Sequence, residues 1–364
     1  MEGLFKDIYK NKTVFVTGHT GFKGSWLVLW LKELGAKVVG YSLEPPTEPN
    51  HFELLNLNIT SVIGDIRDRD KLRKVFEEYQ PHIVFHLAAQ SLVRYSYEEP
   101  AETFETNVIG TINVFESCRI CDSVKAIINV TSDKCYENRE WIWGYRESDL
   151  IGGFDPYSCS KGCSELVTSA YRRSFFNLDE YGQRHNVLLA SVRSGNVIGG
   201  GDWGNDRIVP DLVKAACKDE KAKVRNPHSV RPWQFVLEPL SGYLRLGQLL
   251  LKGKKQYAEA WNFGPCGESI VTVKEAIEKM KSFWAKINYQ IEEIDDFHEA
   301  NMLKLDSSKA FTKLKWNNVW DSNQAFEETA KWYKSYYEEN NVLSRKMLEL
   351  YINDAVSKKL AWTL

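Results

Sequence analysis

Thr13-Val-Phe-Val-Thr17, continued by Gly18-His-Thr-Gly21-Phe-Lys-Gly24, is the stretch that decides the fold. Five β-branched or aromatic residues closed off by glycine read as a buried strand. Glycines at 18, 21 and 24 form GxxGxxG at the end of that strand, and residues 26–34 behind them read as a helix. A backbone without Cβ atoms can approach a pyrophosphate closely, and the phosphate charge then sits on the partial positive charge of the helix N-terminus. Taken alone, the pattern also fits a tight turn with a packing glycine. The strand before it and the helix after it favour a dinucleotide cradle made of Gly18, His19, Thr20, Gly21, Phe22, Lys23 and Gly24.

From this turn onward, short apolar runs alternate with longer helical patterns, as in a parallel doubly wound sheet. The runs are 13–17, 37–41, 61–64, 83–87, 126–130 and 187–192. Helices are predicted at 26–34, 72–79, 103–121 and from Pro156, a residue suited to a first helical position, to 177. After Gly195 the periodicity is less regular, with helices at 273–283 and 323–339. The expected fold is α/β: a Rossmann-type, doubly wound parallel sheet over residues 1–195, rejoined by a later strand near 260–264. Residues 196–364 are expected to form mainly a smaller, interleaved α/β substrate domain.

The chain has 364 residues, a formal net charge of −2, and 43% hydrophobic and 26% charged residues, the profile of an ordinary globular protein. Near-neutral charge gives no reason to expect nucleic acid or an anionic membrane as partner. No apolar run approaches the roughly 18 residues of a membrane-spanning helix. Residues 1–13 do not read as a secretory signal, so a cytoplasmic protein is expected. The seven cysteines, at 118, 121, 135, 159, 163, 217 and 266, are odd in number and include no second pair at zinc spacing. That argues against a disulfide framework and against a metal site.

Beyond the glycine turn, the end of the second strand is where an acid for NAD, or an arginine for a 2′-phosphate, belongs. Ser42 stands there, Glu44 follows it, and no arginine is near, which favours NAD. Asp65-Ile66 follows the third strand, where an acid either bonds an adenine amino group or caps its own loop. Leu87-Ala88-Ala89-Gln90 follows the fourth, and its two alanines let a cofactor come close.

Thr131-Ser132-Asp133-Lys134 closes the fifth strand, and Tyr157-Ser-Cys-Ser-Lys161 opens the helix after it. Four residues apart on a helix, Tyr157 and Lys161 face the same way. A phenol of ordinary pKa near 10 is a poor base at neutral pH. A neighbouring ammonium, together with a cationic nicotinamide, favours its phenolate. Ser132 adds a hydroxyl at the carboxyl edge of the sheet, where ligands bind in such folds.

The glycine turn, the Ser132/Tyr157/Lys161 set and Asn107 after the fourth strand resemble the extended short-chain dehydrogenase/reductases. The likeness runs over nearly the whole chain, including Asn196, Arg231 and Trp261-Asn-Phe-Gly264. Asp133 beside Ser132 resembles the nucleotide-sugar 4,6-dehydratases within that superfamily, whose 4-epimerases lack an acid there. The fuller pattern, Gly18 to Gly24 with Ser132-Asp-Lys134 and Arg231-Pro-Trp233, is similar in particular to dehydratases acting on CDP-glucose. The resemblance implies NAD held by the glycine turn, Ser42, Asp65, Ile66, Leu87, Ala88, Ala89, Gln90, Asn107, Tyr157 and Lys161. It implies Ser132, Asp133, Lys134, Tyr157 and Lys161 as catalytic residues, and a homodimer or dimer of dimers built on helix 103–121 and the helix from Pro156.

The implied reaction is an internal redox cycle: oxidation at sugar carbon 4, loss of water across carbons 5 and 6, and return of the hydride to carbon 6. Tyr157 is the base for oxidation, and Asp133 the acid for the leaving hydroxyl. Lys134 stands where dTDP-glucose relatives carry a glutamate that serves carbon 5. Either it acts there as a neutral base, or its charge stabilises an enolate-like intermediate. Arg231, Asn196 and Arg207 are expected at the substrate diphosphate, Ser91 and Arg193 along the site, and His298 near the base. Two other functions stay open: another nucleotide-sugar dehydratase or 4-epimerase, and a dinucleotide-sensing regulator without chemistry. The intact Tyr157/Lys161 pair disfavours the regulator.

Overall fold

A computed structural model describes residues 1–265, 270–292 and 302–364. Seven parallel strands form the central sheet: β1 (Thr13–Thr17), β2 (Lys37–Ser42), β3 (Thr60–Ile63), β4 (Ile83–His86), β5 (Ala126–Val130), β6 (Leu188–Ser194) and β7 (Ala260–Phe263). Their spatial order is β7-β6-β5-β4-β1-β2-β3. The order reverses between β1 and β4, and such a reversal opens a crevice above the carboxyl ends of the strands.

Helices α1 (Phe22–Glu33), α2 (Arg69–Tyr79), α3 (Gly110–Ile120) and α4 (Pro156–Ser174) cover the sheet on both sides. Val14 and Val16 of β1 join the cluster that holds Trp26 to Leu31 of α1. Phe15 points the other way and meets Phe76 of α2 at 4.5 Å between ring centres. Strands covered on both faces lose apolar–polar alternation, which is why these runs are continuously apolar in the sequence.

The predicted helix at 103–121 is not uniform. Pro100–Phe104 passes into a π-helical turn, Glu105–Ile109, before α3 begins. Such a turn inserts a residue and re-aims the side chains on it; here it carries Asn107.

The second half holds α5 (Ile208–Cys217), α6 (Leu237–Leu251), α7 (Val273–Phe283), α8 (Ser322–Glu339) and α9 (Ser344–Ser357). Of these, α5, α6 and α9 were not predicted. α6 packs on β5, β6 and β7 and is buried around nearly its whole circumference. A helix without a wet face has no amphipathic period to read. Immediately afterwards β7 pairs with β6, from Ala260 opposite Ser191 to Phe263 opposite Ser194, so the chain returns to the sheet.

Candidate active site

The chain leaves β1 at Gly18 with φ +74°. A Cβ there would stand 2.8 Å from the Ala88 nitrogen, and one at Gly24 would stand 2.0 Å from the Gly18 carbonyl oxygen. α1 starts just behind, with no side-chain cap at Gly21 and no acid in its first turn. Its leading N–H groups are therefore available to an anion, and the cradle fits a pyrophosphate. Overpacking at such a contact costs about 1–3 kcal/mol. Gly24→Ala is accordingly expected to lower NAD affinity roughly tenfold or more, read by calorimetric titration.

The side chains of this turn divide their duties. His19 is buried, bonds Ser61 through Nε2 at 2.7 Å and meets the Phe52 ring edge-on, so it serves the turn through its backbone. Burial lowers its pKa to about 4. Thr20 reaches Ser42 at 2.8 Å and the Leu43 carbonyl at 3.0 Å, tying the turn to the end of β2. Phe22 packs against the core. Lys23 goes further than a loop residue: its ammonium donates to Ser194 Oγ at 2.9 Å and lies 5.8 Å from the Tyr243 ring centre. Burial, then repulsion from Lys161, lower its pKa to about 7, with Asp133 opposing.

Asp65 takes the loop-capping arrangement. It accepts from the Arg67 backbone N–H at 2.8 Å and forms a forked pair with the Arg67 guanidinium at 2.9 and 2.6 Å. The Ile66 side chain is buried against Gly110, and its carbonyl accepts from Asn113 at 3.0 Å. Leu87 and Ala88 both donate their backbone N–H to Thr17 Oγ1 at 3.1 Å, which holds this loop against the glycine turn. Asn107 accepts from the Gln90 N–H, and donates to the Gln90 carbonyl and Ser160 Oγ, at 2.9, 2.9 and 2.8 Å. Its amide thus braces the β4 loop, which includes Ala89, against α4.

β5 delivers Ser132 and Asp133 to a short 3-10 turn, Asp133–Cys135, capped by Ser132. Ser132 Oγ donates to Asp133 Oδ1 at 2.9 Å, and the same hydroxyl opposes the rise in the Tyr157 phenol's pKa. Tyr157 and Lys161 lie on the first turns of α4, which Asp155 caps by accepting from Ser158 N at 2.9 Å. The Lys161 ammonium is directed to the Val130 carbonyl at 3.4 Å. Burial lowers its pKa to about 8, with Cys135 and Glu165 acting against the shift. Burial raises the Tyr157 phenol to about 12, and the opposing influences are the Ser132 hydroxyl and the Arg207 guanidinium. Part of the positive charge expected from Lys161 is thus supplied by Arg207. Burial also raises Asp133, against Lys134, Ser132 and Arg231. Lys134 is half-buried.

Among the expected substrate residues, Arg207 donates to Ser91 Oγ at 3.3 Å and is latched by Asp202 at 3.0 Å. Arg231 lies within electrostatic reach of Asp133. Asn196 is exposed on the loop after β6, its carbonyl accepting from Gln234 N at 3.3 Å. Arg193, expected along the site, has a side chain that is 4% exposed and forms a forked pair with Glu165 at 2.9 and 2.8 Å; it also donates to the Tyr136 hydroxyl at 2.6 Å and the Glu147 carbonyl at 3.4 Å. Most of its guanidinium is thus committed to the protein itself. His298 lies outside the described residues. Sequence reading did not single out Asp202, Ser194, Tyr243 or Glu165; only Glu165, one turn after Lys161 on the same helical face, carried a signal. Among the described residues no cluster suits a metal ion, and no helix is long and apolar enough to cross a membrane.

Comparison with known proteins agrees with this geometry. A CDP-glucose 4,6-dehydratase of Salmonella typhimurium is 51% identical over 93% of this chain and 95% of its own length. A dTDP-glucose 4,6-dehydratase of Xanthomonas campestris pv. campestris is 25% identical over 88% of this chain and 93% of its own. For the fold alone, a dTDP-glucose 4,6-dehydratase from Bacillus anthracis in complex with NAD superposes with a TM-score of 0.73 at 21% identity. That alignment covers 90% of this chain and 98% of the other. The model of the GDP-mannose 4,6-dehydratase family matches residues 15–329, and the chain belongs to that family.

Proposed function

We propose that the protein is an NAD-dependent hydro-lyase that converts CDP-D-glucose into CDP-4-dehydro-6-deoxy-D-glucose and water. The observation that carries this reading is a buried, upshifted Asp133 hydrogen-bonded to the serine whose hydroxyl also acts on the Tyr157 phenol. An acid for elimination and a base for oxidation thus converge on one hydroxyl. The 51% identical relative, named for this reaction, supports the choice of substrate.

The glycine cradle and the open end of α1 would hold the NAD pyrophosphate. NAD, when bound, supplies the hydride acceptor for carbon 4 and the donor for carbon 6. Tyr157 takes the proton of the 4-hydroxyl while Ser132 holds the same oxygen. The resulting 4-keto group acidifies carbon 5. Lys134 then removes the carbon-5 proton or, as a cation, stabilises the enolate that forms. Asp133 gives its proton to the leaving 6-hydroxyl, which departs as water, and carbon 5 is reprotonated. Lys134→Arg separates the two roles, because a guanidinium keeps the charge but accepts no proton. Retained elimination assigns the stabiliser, and lost elimination assigns the base. Arg207, Arg231 and Asn196 are proposed to engage the diphosphate.

The experiment is product mass after incubation with NAD and CDP-, dTDP-, UDP- or GDP-glucose. Loss of one water from the CDP sugar, without net cofactor reduction, is the expected result. Water lost only from another nucleotide would overturn the substrate, and an unchanged mass with a new epimer would overturn the dehydratase.

A pH dependence follows from Lys161. Its ammonium is the form that favours the phenolate, and its pKa is about 8. Oxidation should therefore hold below that value and decline as pH rises through it. Lys161→Arg should remove that alkaline decline, read as the single-turnover oxidation rate against pH. Ile109, Ile120, Leu166 and Phe175, all exposed on or beside α3 and α4, support a homodimer through these helices. Light scattering would separate it from a dimer of dimers.

A further inference from the structure

Glu165 and Arg193 are buried together, each side chain 4% exposed, with four hydrogen-bonded neighbours: Thr131, Ser191, Tyr136 and the Glu147 carbonyl. Glu165 also accepts from Thr131 Oγ1 at 2.5 Å and Ser191 Oγ at 2.7 Å. Arg193 donates to the Tyr136 hydroxyl and stands 4.8 Å over that ring, and the Tyr136 hydroxyl in turn donates to Asn262 Oδ1 at 2.8 Å. Thr131 immediately precedes Ser132, and Tyr136 follows Lys134 by two residues. Both ends of the Ser132–Lys134 segment are therefore fastened to one ion pair.

Resting on the dehydratase reading, we propose that Glu165–Arg193 is a positioning clamp for the elimination half of the reaction. It holds Asp133 and Lys134 in register with Tyr157 and Lys161. A buried ion pair contributes little net stability over an apolar pair of the same shape. Fully satisfied, however, such a network admits one arrangement of whatever is bonded to it. The two halves of the chemistry depend on it unequally. Tyr157 and Lys161 belong to α4, whose own backbone sets their spacing. Asp133 and Lys134 belong to a three-residue turn whose internal bonds, Cys135 N to Ser132 O and Tyr136 N to Asp133 O, are long at 3.3 and 3.4 Å. Ring stacking on Tyr145 at 5.2 Å and the bond from Gly152 N to the Cys135 carbonyl brace the turn from outside. The turn packs directly against the helix of the oxidation pair, and the hydroxyl of Tyr136 and the carboxylate of Glu165 add a hydrogen-bonded connection through Arg193.

Tyr136→Phe and Glu165→Gln test this, the first keeping the stacked ring and losing only the hydroxyl. Two readouts are needed. One is the fraction of sugar nucleotide trapped by borohydride as 4-keto glucose during turnover of CDP-glucose. The other is the alkylation rate of Cys135, buried inside the turn, against Cys118, buried elsewhere in the core, as reference for global opening. The expected result is elimination slowed roughly tenfold or more, as for a misplaced catalytic group. KM should be little changed, the 4-keto sugar should accumulate, and Cys135 should label faster while Cys118 does not. Unchanged partition with unchanged Cys135 labelling would overturn the clamp. So would a parallel loss of both half-reactions with both cysteines opening together. If the wild-type protein forms no dehydrated sugar, the function fails, yet selective opening at Cys135 still supports the clamp.

Discussion

Tyr157→Phe should abolish sugar oxidation, lowering kcat by ~10²–10⁴-fold, the range for loss of a general base. Binding of the nucleotide sugar should persist, because the change removes one oxygen from a buried ring whose helix is capped independently by Asp155. The size of the effect follows from the site's electrostatics. With the phenol raised to about 12 by burial, its deprotonation depends on Ser132, Arg207 and the cations brought to it. Removing the phenol leaves these groups with nothing to stabilise. Single-turnover oxidation, followed with calorimetric binding of CDP-glucose, checks both parts. A variant that kept its oxidation rate would transfer the role to another group, such as Lys23, a buried amine whose pKa is lowered to about 7.

Asp133→Asn should separate the two halves of the reaction. Oxidation survives, while elimination falls by ~10²–10⁴-fold because an amide gives no proton to the departing hydroxyl. The 4-keto hexose, trapped by borohydride, should build up where the wild-type enzyme shows little. The same variant should be more stable than wild type at neutral pH. Burial raises the Asp133 carboxyl above its ordinary 3.8, so the folded state binds the proton more tightly than the unfolded chain. Stability from this group is thus highest in acid. It declines once pH exceeds 3.8 and stays reduced above the folded value. An asparagine does not titrate and escapes that decline. Thermal melts across pH read it directly, and an elimination rate equal to wild type would remove Asp133 from the acid role.

The parts of this molecule legible in the sequence are those built from local rules. β1 and the glycine turn were readable because strand, φ-positive glycine and helix start are each set by a few neighbouring residues. Tyr157 and Lys161 were readable because helical spacing alone puts them on one face. What escaped depends on residues distant in sequence. α6 is hidden by complete burial, which erases its period. Arg193, at the end of β6, looked like a substrate ligand. Only the fold reveals Glu165 across from it and Tyr136 beside it. Lys23 was read as part of the cofactor turn. Its arrival at Ser194, on the far side of the crevice, is a tertiary fact. Asp65 carried two readings, and its bonds to Arg67 became visible only in the folded loop.

The pairing of β7 with β6 has a consequence for biogenesis. The edge of β6 that β7 will cover leaves the ribosome well before residues 260–263 do. At about 5–20 residues per second, the interval is on the order of ten seconds. Throughout it, β6 presents unpaired backbone donors and acceptors, a template for another nascent strand. α6, buried around nearly its whole circumference, emerges in the same interval. Chaperone demand during translation should therefore peak in this window. A fragment ending near residue 195 should aggregate, although it contains the entire glycine cradle and the Tyr157/Lys161 pair.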